Sequence, residues 1–448
     1  MEKIACRLPA VTKKIIVLLL AALPLPGFSQ EKAWTPEECI RYAIQHNPSR
    51  NKQEAQNEIY KLNQREAIGG FLPSLNVESG VSMNFGRGLD PETNDYITTN
   101  TLGNSYGINS SVTLFDGLSQ IYRAKLAKIN RLRGNEALQD TKDRIALETM
   151  ELFFNVLYYT GSVKLAQQQL DESSRNRERI RRMEELGLKS IPDVTEIQAK
   201  EAEDRFILTK QSNLLNLEMI KLKTVMNWPL EENLSVAGYE DMLLPVRETG
   251  TAMDIYQQAL NTLPRALVAG RSLSISETEY KIARGSLFPS LTFSAGFSTG
   301  FSRTMDITQY QSFREQLKVR QGSYIALSLF VPIFNGFSRS SELKRSKQRL
   351  IIARNEHEET LRLIYSEIEQ AVADVNGLAD EYGHAQKRTE AMQSAHQVNL
   401  RKYEEGLIDA LELTTSANRL LNARLEELYT NLKYQLKHKL LSYYKAEL

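Results

Sequence analysis

Hydrophobic and polar positions alternate in two stretches of the chain, residues 71–117 and 287–336. From Leu75 to Phe85 the odd positions are almost all apolar, and the even positions carry Asn, Glu, Gly or Ser. The segment from Leu291 to Phe301 repeats this pattern, with Phe and Ala alternating with Thr, Ser and Gly. A period of two is typical of an extended strand whose side chains point to opposite faces. Each stretch therefore predicts a strand with one apolar face.

Returning strands are predicted at residues 106–115 and 324–331, so that each stretch forms a β-hairpin. A tilted strand of about 9 to 11 residues is long enough to cross a bilayer. The alternative is an amphipathic sheet in a soluble α+β protein, in which helices would cover the apolar face. The polar face consists mainly of Gly, Ser, Thr and Asn, which suit a water-filled lumen. The pattern therefore favours two membrane-spanning hairpins.

An internal duplication relates the two hairpins. Both open with Pro-Ser-Leu, and both close on Phe, then Asp or Asn, then Gly. The predicted hairpin boundaries are Pro73, Phe115 and Gly117 in the first copy and Pro289, Phe334 and Gly336 in the second. Equivalent residues lie 216 to 219 positions apart, close to half the chain, which indicates a duplication. We therefore expect a first repeat at residues 30–228, a connector at 229–251 and a second repeat at 252–448.

Long helices are predicted on both sides of each hairpin. Entering helices are expected at residues 34–67 and 252–284, and exit helices at 118–186 and 338–405. Return helices are expected at 193–226 and from the turn at Gly406 through Leu421 to Leu448. Apolar residues recur every three or four positions in these segments, as in coiled coils. At about 1.5 Å per residue, the exit helices would be on the order of 100 Å long, which exceeds the helices of globular proteins. The predicted class is mainly α with a small β part.

The N-terminus predicts a secretory signal peptide at residues 1–29. Lys13 and Lys14 precede the apolar run 15–23, and small residues follow near Ser29. No later stretch reaches 18 apolar residues, so an inner-membrane span is not expected. Charged residues make up 25% of the chain, which indicates that most of it lies in water. The nearly balanced charge gives no indication of nucleic-acid binding.

No catalytic, cofactor or metal site is predicted. His357-Glu358 lacks the second His of a zinc-protease motif, and the sequence contains no glycine-rich phosphate loop or nucleophile elbow. Cys39 would be the only cysteine after signal cleavage, so an internal disulfide is not expected. We therefore do not expect an enzyme.

Four strands per chain predict an oligomer, because an open sheet edge in lipid leaves backbone groups unpaired at several kcal/mol each. Two copies would give an eight-stranded barrel filled by side chains, whereas three would give twelve strands around a lumen. Threefold symmetry would also let six helical hairpins close into a tube. We therefore expect a homotrimer with a 12-stranded transmembrane β-barrel and an α-barrel tunnel of long antiparallel hairpins.

The sequence resembles the outer-membrane efflux protein (TolC) family over nearly its whole mature length. Besides the strand boundaries, the resemblance includes a turn motif in which Gly is followed six residues later by an acid and an aliphatic residue. The motif occurs at Gly187 with Asp193-Val194, and at Gly406 with Glu412-Leu413. The resemblance implies an outer-membrane channel with a long periplasmic portion, served by a periplasmic adaptor and an inner-membrane pump. Such a channel is the passive exit duct of a tripartite efflux or type I secretion system.

The resemblance places the two turns nearest the inner membrane, where an adaptor would dock. The docking residues it suggests are Gly187, Ser190, Pro192 and Asp193 in the first turn and Tyr403, Gly406 and Leu407 in the second. Threefold symmetry would make Asp193, Asp409 and Glu412 carboxylate rings that favour cations. The simpler interpretation is that Asp193 caps the return helix. Both interpretations stay open at this point, as does the choice between small-molecule and polypeptide cargo. A non-pore coiled-coil scaffold or adhesin is the alternative function.

Overall fold

The structure is a computed structural model that describes residues 33–89, 94–238, 244–305 and 311–447. The signal peptide predicted at residues 1–29 lies outside these ranges. The chain divides into two compact units, one formed by residues up to 43 with 149–242, the other by residues 44–148 with 243–448. These units are defined by contacts in space and not by the duplicated sequence. The repeat and connector boundaries expected from the sequence therefore stay predictions.

Nine helices and four strands occur in the described ranges. In chain order they are α1 (Pro36–His46), α2 (Pro48–Gly69), β1 (Ser74–Leu89), β2 (Tyr96–Phe115), α3 (Ser119–Glu185), α4 (Ile191–Met226), α5 (Ala252–Thr262), α6 (Pro264–Gly285), β3 (Ser290–Thr304), α7 (Phe313–Val319), β4 (Gly322–Phe330), α8 (Ser338–Glu404) and α9 (Ala410–Tyr444). The predicted class, mainly α with a small β part, is confirmed. None of the helices in these ranges combines the length and the apolarity needed to pass through a bilayer.

Proline divides each entering helix into two. Pro48 and Pro264 each begin a new helix, because proline cannot donate the backbone hydrogen bond that would continue the preceding one. The residues before them, Asn47 and Leu263, are extended, with ψ of 127° and 119°. The side chain of Asn47 also accepts a 2.8 Å hydrogen bond from the Ser49 N–H.

All four strands form one antiparallel sheet in the order β1-β2-β3-β4, within the second unit. β2 and β3 join the two hairpins, with Ile108 opposite Phe297. The pairs Phe115–Leu291 and Ser290–Phe330 place the ends of β2 and β4 at the edge where β3 begins. The helices that leave the sheet, α3 and α8, therefore start at the same end of it.

Three strands are longer than the predicted 9 to 11 residues. β1 has 16 residues, β2 has 20 and β3 has 15, while β4 has 9. The returning strand predicted at 106–115 was wrong at its start, since β2 begins at Tyr96. β1 continues as far as Leu89, whose partner is Tyr96, and β-branched Thr98 and Thr101 favour the extended backbone.

Helix α7, which the sequence did not predict, covers the part of β3 that β4 does not reach. The β3–β4 pairing stops at Ser298–Gly322, although β3 continues to Thr304. The Gln316 side chain is fully buried and accepts a 3.0 Å hydrogen bond from the Ser302 N–H. The Thr299 hydroxyl donates to the carbonyl of Leu317 at 2.6 Å. The short helix thus satisfies polar groups at an edge that would otherwise be unpaired.

Each unit has its own helical core. In the first unit, Phe153 and Val156 of α3 and Leu222 and Met226 of α4 are fully buried. In the second, α5, α6, α8 and α9 share a core in which Ile364, Ile368 and Val375 of α8 form one buried stripe.

Candidate functional site

One face of the sheet is apolar and exposed. Val77, Ile108 and Phe297 lie side by side across β1, β2 and β3 on this face. Val77 is 76% exposed, and Leu327 of β4 is 62% exposed. Contiguous apolar surface of this kind marks contact with a membrane or with another protein.

The opposite face of the sheet is polar. Asn76, Asn109, Gly296 and Tyr324 form one row across the four strands. The Tyr324 hydroxyl donates a 3.3 Å hydrogen bond to Oδ1 of Asn109. The Tyr324 ring lies over Gly296, where a Cβ atom would be only 2.5 Å from a ring carbon. The two faces therefore differ as the alternating sequence predicted.

The outer edges of the sheet, β1 and β4, have no strand beside them in the described part of the chain. β1 pairs only with β2, and β4 only with β3. Such edges present unpaired N–H and C=O groups that can accept a further strand. The sheet is therefore open on both sides.

The predicted hairpin boundaries coincide with the ends of three strands and not with that of the fourth. β1 begins directly after Pro73 and β3 directly after Pro289, and β2 ends at Phe115. β4 ends at Phe330 and not at the predicted Phe334. Residues 331–334 have no opposite residue on β3, which begins at Ser290, and Pro332 has no N–H to donate.

The junction between β2 and α3 is a close contact between two glycine backbones. Gly117 has φ +68°, and a Cβ atom there would lie 2.1 Å from the carbonyl oxygen of Gly285, the last residue of α6. A Cβ on Gly285 would in turn lie 2.7 Å from the Gly117 carbonyl oxygen. Only glycine fits both positions, so the first hairpin packs directly on the helix that enters the second.

The junction between β4 and α8 has the same backbone conformation without such a contact. Gly336 and Phe337 have φ of +61° and +65°, and Gly117 and Leu118 have +68° and +67°. A Cβ on Gly336 would meet nothing within 4 Å in the described ranges. The same is true of Gly69, which ends α2 and is the counterpart of Gly285. In the described ranges, the second junction therefore lacks the glycine contact that the first junction makes.

Each exit helix is also tied to the entering helix of its own repeat. Gln120 Nε2 donates to the carbonyl of Ala67 at 3.0 Å, and Arg339 Nη1 donates to the carbonyl of Ser286 at 2.6 Å. Gln120 and Arg339 are 219 positions apart. The donors therefore occupy equivalent positions in the two repeats, whereas the acceptors do not.

The first helical turn begins at Gly187, which has φ +71°. The N–H groups of Gly187 and Leu188 donate to the carbonyls of Glu184 and Met183, both at 2.8 Å. This arrangement, in which a left-handed glycine lets the last helical carbonyls find partners, ends α3.

Ser190 and not Asp193 is the N-cap of the return helix α4. The Asp193 N–H donates to Ser190 Oγ at 3.4 Å, while the Ser190 N–H and Oγ donate to the Asp193 carboxylate at 3.1 and 2.7 Å. These two residues form a reciprocal capping box, with Pro192 in the first turn of the helix. The hydrogen bonds from Ser190, first the hydroxyl and then the backbone, lower the pKa of Asp193.

The second turn repeats the geometry with different capping. Gly406 has φ +75°, and the Leu407 N–H donates to the Lys402 carbonyl at 2.8 Å. Asp409 is the N-cap of α9, and its Oδ1 accepts a 2.8 Å hydrogen bond from the Glu412 N–H. Asp409 is the counterpart of Ser190, and Glu412 that of Asp193.

Two of the suggested carboxylates are therefore neighbours, and the third belongs to the other unit. Asp409 and Glu412 are exposed and joined by the capping hydrogen bond. Asp193 lies in the first unit. Within the described ranges, no three His, Cys, Asp or Glu side chains are arranged to hold a metal ion.

The turns expose leucine next to each glycine. Leu188 is 66% exposed and Leu407 is 67% exposed. Leu407 was predicted from the sequence as a docking residue and Leu188 was not, although the 219-residue offset relates them. Tyr403, in contrast, is only 3% exposed, so its ring lies inside its own hairpin and offers no surface to a partner. Docking through the Tyr403 side chain is therefore not supported.

Comparison with known proteins gives consistent results for sequence and fold. A family model described as "Outer membrane efflux protein" matches residues 255–446. The outer membrane protein TolC of Escherichia coli is 24% identical over 92% of this chain and 82% of its own length. The pyoverdine export outer membrane protein OpmQ of Pseudomonas aeruginosa is 22% identical over 80% of this chain and 74% of its own.

A solved structure of CusC, described as forming a transmembrane channel, shares the fold. Its TM-score is 0.80 at 18% identity, and the match covers 95% of this chain and 97% of that one. The sequence matches and the common fold agree over nearly the whole chain. The chain is thus similar in sequence and in fold to outer membrane efflux proteins.

Proposed function

We propose that three copies of this chain form a passive duct that carries solutes out of the periplasm across the outer membrane. The observation that carries the proposal is the sheet, which has an exposed apolar face, a polar face and two open edges. Four strands cannot enclose a lumen, and edges left open in lipid cost several kcal/mol per unpaired group. Twelve strands from three copies would remove every edge and leave a water-filled interior.

The β2–β3 pair supplies a template for how the copies join. Because β4 repeats β2 and β1 repeats β3, β4 of one copy would pair with β1 of the next. The pair Ile108–Phe297 then becomes Leu327 of one copy opposite Val81 of the next. The glycine contact Gly117–Gly285 becomes Gly336 of one copy against Gly69 of the next. Leu327 and Val81 are exposed in the single chain. A Cβ atom added at Gly336 or Gly69 would meet nothing within 4 Å in the described ranges.

The helices that leave the same end of the sheet would form the periplasmic tunnel. Exit helices α3 and α8 have 67 residues each, and α4 and α9 return along them after the two glycine turns. Six such helical hairpins per trimer would enclose a tube. The antiparallel packing of α8 and α9 around one buried stripe supports this arrangement.

The turns would dock a periplasmic adaptor protein, which in turn would connect to an inner-membrane pump. Leu188 and Leu407 present exposed apolar side chains beside capped turns, and such side chains could pack against the apolar stripe of a helical-hairpin partner. In this assignment Gly187, Ser190, Pro192, Asp193 and Gly406 shape the turns. The exposed carboxylates of Asp409 and Glu412 would form rings in a trimer and favour cations.

Ion conductance across planar bilayers tests the duct directly. Purified full-length protein is expected to give discrete current steps as single trimers insert. Val77→Asp and Asn76→Asp form a matched pair, because adjacent residues on one strand face opposite sides of the sheet. Val77→Asp places the charge on the apolar face and should abolish insertion, whereas Asn76→Asp should still conduct.

Two outcomes would contradict the duct. Repeated insertion of wild-type protein without current would favour the non-pore scaffold. Equal loss of conductance in both variants would show that the apolar face does not meet lipid.

A further inference from the structure

The two exit helices carry similar stripes of apolar residues and lysines just beyond the sheet, which differ at Ile121 of α3, where α8 has Ser340. On α3 and the residue before it, the stripe consists of Leu118, Ile121, Lys125, Lys128 and Leu132, spaced by three and four positions. Four of these places are repeated 219 positions later, on α8 and the residue before it. They are occupied by Phe337, Lys344, Lys347 and Ile351, which correspond in this order to Leu118, Lys125, Lys128 and Leu132. All of these residues are exposed. The duplication has thus kept two lysines at equivalent places on both helices.

The stripe on α3 does not face a neighbouring helix. One flank of α3 contacts α2, through Gln120 with Ala67 and Arg131 with Gln64. The other flank contacts α6, where Arg271 Nε donates to Glu136 at 3.1 Å. The stripe lies between these flanks and remains exposed although both neighbours are present.

The opposite side of α3 differs in character from the stripe. It carries Arg123, Ala127 and Asn130, which are small or polar. In a tube of helices, one side of each helix faces the lumen and the other faces outward. The polar side suits the lumen, so the stripe with exposed Leu118 and Ile121 is assigned to the outer surface.

The positive charge on the stripe is not neutralised by the residues that the structure describes. Lys125, Lys128, Lys344 and Lys347 form no ion pair with any residue that the structure describes. Residues 119–133 contain five basic residues and no acidic one. At the start of α8, one carboxylate, Glu342, is shared by Arg345 and Arg349 at 2.6 and 3.0 Å.

The lysines lie at the depth where a membrane surface is expected. Exposed apolar side chains continue past the strands to Phe334, Phe337 and Ile121, as at the interface of membrane proteins. From Ile121, Lys125 is about 6 Å and Lys128 about 10 Å farther along the helix. A lysine stem can cover apolar surface while its ammonium group reaches the charged layer.

We propose that Lys125, Lys128, Lys344 and Lys347 bind the phosphate groups of anionic phospholipids in the periplasmic leaflet of the outer membrane. The proposal rests on the sheet crossing that membrane, as the proposed function requires. A trimer would present twelve such lysines around its circumference, directly below the apolar belt. Basic groups placed beside a hydrocarbon boundary attract anionic lipids in this way.

Lipid retention measures this binding. Full-length protein is reconstituted in nanodiscs of three parts phosphatidylcholine to one part phosphatidylglycerol, re-extracted in detergent, and its retained lipid is quantified by mass spectrometry. Wild type is expected to retain phosphatidylglycerol at least about threefold over its bulk share, and 0.5 M NaCl should abolish the excess. The variant K125Q/K128Q/K344Q/K347Q should lose the excess, and the corresponding arginine variant should keep it.

Controls separate this proposal from the duct. K52Q/K210Q/K387Q/K402Q removes the same charge from exposed lysines elsewhere on the helices and should retain phosphatidylglycerol like wild type. Unchanged phosphatidylglycerol enrichment in K125Q/K128Q/K344Q/K347Q would overturn the proposal. An excess in wild type that 0.5 M NaCl does not reduce would overturn it as well, and this second test does not depend on the folding of a variant. A change in ion selectivity without a change in lipid would place the lysines in the lumen and also overturn it. Conductance of the same samples reports on the duct independently.

Discussion

The two strand-to-helix junctions have the same backbone but different surroundings. Gly117 is in contact with Gly285 of the same chain, whereas a Cβ atom added at Gly336 or Gly69 would meet nothing within 4 Å in the described ranges. The sequence around both junctions is duplicated, and the φ angles agree within a few degrees. We propose that the second junction would make the same glycine contact with another copy of the chain. In that proposal, the first junction shows within one chain how two copies would join.

The largest expected effect is that of Gly117→Ala. A Cβ atom there would overlap the Gly285 carbonyl, and the left-handed backbone adds strain, so we expect a loss of about 3 kcal/mol or more. The measurement is the yield and thermal unfolding midpoint of purified protein. Gly377→Ala, in the middle of α8 with nothing within 4 Å in these ranges, is the control and should be neutral or slightly stabilising. Similar losses in both variants would argue against the close contact.

The next effect distinguishes folding from assembly. Gly285→Ala should destabilise the chain itself, because its Cβ would lie 2.6 Å from Ser119 Oγ and 2.7 Å from the Gly117 carbonyl. Gly69→Ala meets no such obstacle within the chain and should leave its secondary structure intact while reducing the trimer fraction. Circular dichroism and size-exclusion chromatography with light scattering measure the two properties. A normal trimer fraction for Gly69→Ala would break the analogy between the junctions.

A smaller effect is expected at the helical turns, where the repeats also differ. Ser190→Ala removes the two hydrogen bonds of the Ser190 hydroxyl but keeps the one from the Ser190 N–H to Asp193, and Asp409→Ala removes a single cap. Each should cost about 1 kcal/mol, with the larger loss at Ser190. Hydrogen exchange of the amides following each turn measures the local loss. Equal protection in wild type and both variants would mean that the caps contribute nothing.

The smallest effect is a pH dependence of the first turn. The pKa of Asp193 is lowered in the folded state by the hydrogen bonds from Ser190, so its contribution is present above the unfolded pKa of about 3.9. That contribution is lost as the pH falls through the lower folded pKa. Limited proteolysis at residues 187–190 should increase over this range in wild type. In Asp193→Asn, cleavage should be higher throughout and independent of pH, and a parallel pH response would contradict this.

The alternating strands, the glycine turns and the long helices were predictable because each follows from a local period or a single residue type. The start of β2 at Tyr96 was missed because Gly, Asn and Thr near the hairpin tip resemble a loop until their pairing with β1 is known. Helix α7 was not predicted because it covers the part of β3 beyond the end of β4, and that end is known only from the strand pairing. The role of Gly285 depends on contact with a glycine 168 positions earlier, which no local pattern reveals.

Some site residues could be identified from the sequence, and others required the three-dimensional structure. The duplication could have identified Leu188 from Leu407, since the offset is constant. Ser190 was recognised as part of the turn, but its role as N-cap required the hydrogen bonds with Asp193. The burial of Tyr403 depends on the packing of α8 and was not accessible from its position in the motif.

Cysteine cross-linking between copies tests the central claim most directly. In the detergent-purified protein, Leu327→Cys with Val81→Cys should oxidise to a covalent, reducible trimer. The proposed pairing of β4 with β1 of the next copy, by analogy with Ile108 and Phe297, would put these two residues opposite each other. Leu327→Cys with Val77→Cys is the control, since a shift of four residues separates the pair by about 13 Å. Native Cys39 should not interfere, because burial, then the nearby Glu38 and Glu37, raise its pKa to about 12. A covalent trimer with the first pair alone supports closure of the sheet between copies; no cross-link, or one only with the offset pair, would contradict it.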